Sequence, residues 1–73
     1  LDIFKKLKGT RDIWEIRVLF NKRRYRFLGF YYKGSLVILT NAFVKKSDKI
    51  PKKEIKLAEQ RKKEFLVDNP IKN

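Results

Sequence analysis

Cysteine, histidine and methionine are all absent from this chain of 73 residues, and it has only three glycines and two prolines. Without cysteine there is neither a disulfide scaffold nor a thiol nucleophile. Without cysteine and histidine the usual zinc sites are excluded, and no metal site is expected. The missing histidine also removes the commonest general base, so any catalysis must use Lys, Arg, Tyr or carboxylates. No apolar run approaches the roughly 18 residues that a membrane span needs. The opening Leu1-Asp2-Ile3-Phe4-Lys5-Lys6 is not a signal peptide, because no long apolar stretch follows the basic residues. A phosphate-binding glycine loop is excluded by the wide separation of Gly9, Gly29 and Gly34.

What the sequence does have is positive charge. Twenty Lys and Arg stand against eight Asp and Glu, a formal net charge of +12, which makes polyanions the first partners to consider. A hydrophobic fraction of 42% with ten aromatic residues excludes a disordered basic tail. The length allows one small domain, 1–73, whose core is marginal at this size.

The pattern predicts an α+β fold, an antiparallel three-stranded meander followed by a C-terminal helix. Residues 1–12 read as polar and basic, with a turn at Lys8-Gly9-Thr10. The first strand, 13–20, places Trp14, Ile16, Val18 and Phe20 on one face and Ile13, Glu15, Arg17 and Leu19 on the other. Asn21-Lys22-Arg23-Arg24 reads as a tight charged turn. The second strand, 25–32, has Gly29 as a bulge or close-approach point. Lys33-Gly34 turns into a third strand, 36–44, whose nearly continuous apolar run predicts a central strand covered on both faces. The links are too short for crossovers, hence the antiparallel order. A basic loop then leads to a helix over 51–67, with Pro51 at its first position, an apolar stripe of Ile55, Ala58, Phe65 and Leu66, and a Glu59–Lys63 ion pair. One helix cannot cover a sheet whose second strand carries Tyr25, Phe27 and Tyr31 on one face and Leu28, Phe30 and Tyr32 on the other. A further covering element is expected.

The basic residues form the candidate site. Arg17 and Arg26 lie inside strands rather than at turns, and guanidinium grips phosphate bidentately. Glu15 shares a face with Arg17, and either orients an arginine or acts as a base. Lys45 and Lys46 close the third strand. Lys6 and Lys8 precede the first strand, Lys22, Arg23 and Arg24 lie at the first hairpin, and Lys49 follows the third strand. These residues are candidate phosphate contacts, and the resemblance given next makes them candidate RNA contacts.

The order Phe4-Lys5-Lys6-Leu7-Lys8-Gly9-Thr10, Ile13-Trp14-Glu15-Ile16-Arg17-Val18, Tyr25-Arg26-Phe27, Ala42-Phe43-Val44-Lys45-Lys46-Ser47 and Ile50-Pro51-Lys52-Lys53-Glu54-Ile55 resembles the RelE/ParE superfamily of bacterial toxins. More narrowly, it is similar to the phage-derived, HigB-like branch, and the likeness covers roughly residues 4–65. The resemblance implies a type II toxin–antitoxin toxin that acts as a ribosome-dependent mRNA endoribonuclease in the bacterial cytoplasm. Its partners would be the ribosome, mRNA and a helix-turn-helix, HigA-like antitoxin. No cofactor or membrane is involved, and self-association into a homo-oligomer is allowed. The resemblance places Arg26, Arg17, Lys46 and Glu15 at catalytic positions, and Asn41 where many relatives carry histidine. It also implies that a strand and helical hairpin belong ahead of the Lys5-Lys6-Leu7-Lys8-Gly9 segment, so that this chain is the C-terminal portion of such a toxin. The alternatives are a ParE-like gyrase inhibitor and a non-catalytic basic nucleic-acid-binding module.

Overall fold

The computed structural model describes residues 3–44 and 46–71. Its elements are β1 (Ile3–Lys6), β2 (Trp14–Phe20), β3 (Arg23–Tyr32), β4 (Leu36–Val44) and α1 (Lys52–Asp68). The strands form one antiparallel sheet in the order β1-β2-β3-β4, an α+β meander with a C-terminal helix.

The sheet has four strands rather than three. β1 pairs Ile3 with Arg17 and Lys6 with Trp14. It is four residues long and half lysine, so its alternation is hidden in the sequence, and those lysines blunt an exposed sheet edge. A second correction concerns β4, which is the other edge strand, not a covered central one. Leu36, Leu39 and Val44 are all exposed. An apolar run reports burial only where both neighbours exist, and a meander leaves its last strand with one.

The turns follow from backbone conformation. Phe20 pairs with Arg23, so β2 and β3 are joined by Asn21 and Lys22 alone, at φ 50° and 64°. Positive φ at both positions is the turn geometry that matches strand twist. Arg23 and Arg24 are therefore paired strand residues, not turn residues. Lys33 and Gly34 also have positive φ, between Tyr32 and its partner Leu36.

Registry assigns the two faces. Ile13, Glu15, Arg17, Arg26, Leu28, Asn41 and Phe43 share the face that α1 covers. A bulge between Leu28 and Gly29 leaves Thr40 as the extra residue of β4 and turns Ile38 and Leu36 onto that face, opposite Phe30 and Tyr32. The Thr40 hydroxyl lies 3.0 Å from the Leu28 carbonyl, and Arg61 of α1 donates to the Thr40 carbonyl at 2.6 Å. Under the helix, Ile13, Leu28 and Ala58 are fully buried, with Leu7, Phe43 and Ile50 packed against them. Phe65 meets Phe30 and Tyr32 edge-on, and the Tyr32 hydroxyl donates to the Asn69 carbonyl at 3.0 Å.

Helix α1 begins at Lys52, with Pro51 as its N-cap and no side chain capping its first N–H groups. Glu59 accepts from the backbone N–H of Arg11 at 2.9 Å instead of pairing with Lys63, which ties the β1–β2 loop to the helix. On the opposite face Phe4 stacks on Trp14 and Tyr31 meets both rings edge-on, and no described element covers them. No described helix is long and apolar enough to cross a membrane.

Candidate functional site

The centre of the site is a carboxylate that cannot meet water. Glu15 and Arg26 have 0% and 1% of their surface exposed. They come together because Arg17 pairs with Arg26 and Glu15 with Leu28, which sets all three charged side chains on the helix-facing side of β2 and β3. Arg17 grips Glu15 with two bonds, Nε to Oε2 at 2.9 Å and Nη2 to Oε1 at 3.3 Å. Arg26 places its Nε 3.2 Å from the same Oε2 but out of line, so this buried N–H has no hydrogen-bond partner among the described residues. Its Nη2 donates to the Asp48 carbonyl at 3.2 Å. Lys5, paired opposite Glu15 on β1, stands 4.0 Å from Oε1.

Arg26 is therefore enclosed. The segment between β4 and α1 folds over it and is fastened to it through Asp48. The carboxylate below is largely taken by Arg17, so one buried guanidinium is under-compensated, an arrangement that favours an anion nearby.

Two cavities open beside this triad, each of about 380 Å³. The first is bordered by Arg26, Phe43, Lys46, Lys49, Lys53 and Glu54. The second lies on the other side of the same segment, against Lys5, Lys8, Glu15, Arg17, Lys49 and Lys52. Together they carry eight cationic side chains against three carboxylates. Lys8, Lys46, Lys49, Lys52 and Lys53 form no ion pair among the described residues. The uncapped start of α1 adds its positive end to the first cavity. Residues 2–63 match the family described as Phage derived protein Gp49-like (DUF891).

The chain belongs to that family. No curated protein and no solved structure matches it. The span shared with the Gp49-like family contains every residue bordering the two cavities.

Of the candidates read from the sequence, the Gp49-like fold gathers Glu15, Arg17, Arg26, Lys8, Lys46 and Lys49. Lys45 lies outside the described residues. Lys6 points to the opposite face, beside Trp14, and pairs with Asp12 at 2.7 Å. That hydrogen bond and the Lys6 charge, with Lys62 adding to them, hold the Asp12 carboxyl below its ordinary range. Lys22, Arg23 and Arg24 stay exposed at the β2–β3 hairpin and border neither cavity.

Two residues of the site enter the sequence reading only as part of the Ile50–Ile55 motif and not as candidate site residues. Lys53 and Glu54 belong to the first turn of α1, within a mixed run of lysines and glutamates. The Glu54 Oε1 accepts from Asn41 Nδ2 at 2.9 Å, and the Glu54 carbonyl accepts from the same amide at 3.2 Å. The proline before them marks the helix start and could have pointed to them, since a basic loop running into a helix N-terminus is an anion-binding pattern. Among the described residues no group of three His, Cys, Asp or Glu side chains could hold a metal.

Proposed function

We propose that this Gp49-like chain is the toxin of a type II toxin–antitoxin pair, from the HigB-like branch of the RelE/ParE superfamily, and that it cuts mRNA on the ribosome. The observation that carries this reading is the under-compensated Arg26 guanidinium beside a cavity lined by lysines that pair with no described carboxylate, a place for a phosphodiester. Family membership and the order of the motifs support the same reading.

The reaction needs no cofactor. The ribose 2′-oxygen attacks the adjacent phosphorus, the P–O2′ bond forms, the P–O5′ bond breaks, and a 2′,3′-cyclic phosphate and a 5′-hydroxyl result. Lys46, Lys49 and Lys53 stabilise the charge that develops on the phosphate oxygens. Glu54, oriented by Asn41, is the carboxylate open to the cavity and takes the 2′-hydroxyl proton. Glu15 is not that base, since it is buried and both its oxygens are engaged by Arg17. A lysine ammonium delivers the proton to the leaving 5′-oxygen. Arg26 is a positioning residue, holding the covering segment through Asp48.

The test uses ribosomes programmed with a defined mRNA and the purified chain. Glu54→Gln and the double variant Lys46→Ala/Lys53→Ala are each expected to lower the cleavage rate at least about a hundredfold, within the usual range for general-base and electrostatic groups. Their thermal unfolding should match the parent, because these side chains are outside the core. Cleavage at parental rate by both variants, or no cleavage by the parent chain, overturns the reading.

A further inference from the structure

The second cavity has no part in the reaction just described, yet its construction parallels the first. Each is bordered by one guanidinium of the triad, Arg26 on one side and Arg17 on the other, and the single carboxylate of Glu15 holds both. Arg17 keeps 22% of its side chain exposed there. Lys49 borders both cavities, and Lys8 and Lys52 are exposed and form no ion pair among the described residues at the rim of the second. Ile50 and Ile55 provide apolar surface between these cations. Cations around an apolar patch suit a nucleotide, whose phosphate takes the charge and whose sugar or base takes the apolar contact.

We infer that the second cavity is a phosphate subsite for the same single-stranded RNA, so that the strand crosses the 46–50 segment with phosphates held on both sides and Lys49 shared between them. This rests on the reading of the first cavity as an RNA site. The role of the second subsite is to hold and align the strand, not to react with it.

The probes are single-stranded 2′-deoxy oligonucleotides, a dinucleotide and an octanucleotide, which lack the attacking hydroxyl and stay intact. Binding to the full chain is followed by fluorescence anisotropy over a range of salt. For Lys8→Ala/Lys52→Ala, the octanucleotide should bind roughly tenfold more weakly, with the slope of log affinity against log salt reduced by about 1.4, while dinucleotide binding is unchanged. Lys46→Ala/Lys53→Ala should weaken both probes. If Lys8→Ala/Lys52→Ala binds the octanucleotide like the parent while Lys46→Ala/Lys53→Ala does not, the second subsite is overturned and the first cavity stands. If neither double variant changes binding of either probe, both are overturned. A poly-glutamate peptide that displaces the octanucleotide at equal charge concentration would also overturn the inference, since the cavity would then select charge and not a nucleotide strand.

Discussion

Glu15 is the residue on which most depends. It neutralises the part-exposed Arg17 guanidinium and, in part, the buried one of Arg26, beside a core of a few side chains. Glu15→Gln is expected to cost about 3–5 kcal/mol, because it strands two arginines without their counter-charge. That is a large share of the roughly 5–15 kcal/mol by which a typical domain is stable. Urea unfolding of Glu15→Gln beside Glu15→Leu/Arg26→Met measures it. The double variant should recover the part of the loss due to Arg26, since an apolar pair needs no compensation, while Arg17, 22% exposed, turns to water. A single variant within about 1 kcal/mol of the parent would show that water already solvates the triad. For the same reason Arg26→Ala is a poor test of chemistry, because it would weaken the fold as well. That Glu15, Arg17 and Arg26 lie inside strands was legible in the sequence, since they fall within alternating apolar runs. Their burial was not. It depends on the basic segment after β4, which closes over Arg26 from 22 positions away and reads in isolation as a solvated loop.

At the scale of elements, the bulge between β3 and β4 decides which apolar residues reach the helix. Gly29 is required there because a Cβ at this position would lie 2.5 Å from the Ile38 carbonyl oxygen, a backbone atom with no freedom to move aside. Gly29→Ala is expected to destabilise the chain by about 1–3 kcal/mol, as overpacking does. Chemical denaturation reads this directly, and an unchanged midpoint would mean that the bulge can shift at no cost. The glycine inside a strand pattern announced the bulge, so that part of the sheet was readable. The positions of β1 and β4 were harder to read. A four-residue strand with two lysines shows no period, and the Leu36–Val44 run is as apolar at the sheet edge as it would be in the middle. The site residues in the first turn of α1 escaped for a similar reason. Lys53 and Glu54 look like any exposed helix positions until the fold brings Asn41 and Arg26 beside them.

The whole molecule, 43 × 23 × 19 Å across its principal axes, has one face for charge and one that is apolar and open. Phe20, Tyr31 and Leu39 are 61%, 40% and 54% exposed on that second face, around the stacked Phe4 and Trp14. Such a patch drives association, whereas a net charge of +12 opposes it until salt screens the repulsion. Sedimentation at micromolar concentration should therefore show self-association increasing with salt, while RNA binding weakens with salt over the same range. A single monomeric species at every salt concentration, with a cooperative unfolding transition, would contradict this. The order β1-β2-β3-β4 also governs how the molecule is made. Every strand pairs with the one before it through a short link, so the sheet closes no long loop and can form early and fast. Only the docking of α1 and the segment before it joins distant parts of the chain. During synthesis the sheet is complete before that last segment emerges. Until then water, not protein, surrounds Glu15 and both arginines, and the step that creates the two cavities is also the step that first takes Glu15 and Arg26 out of solvent.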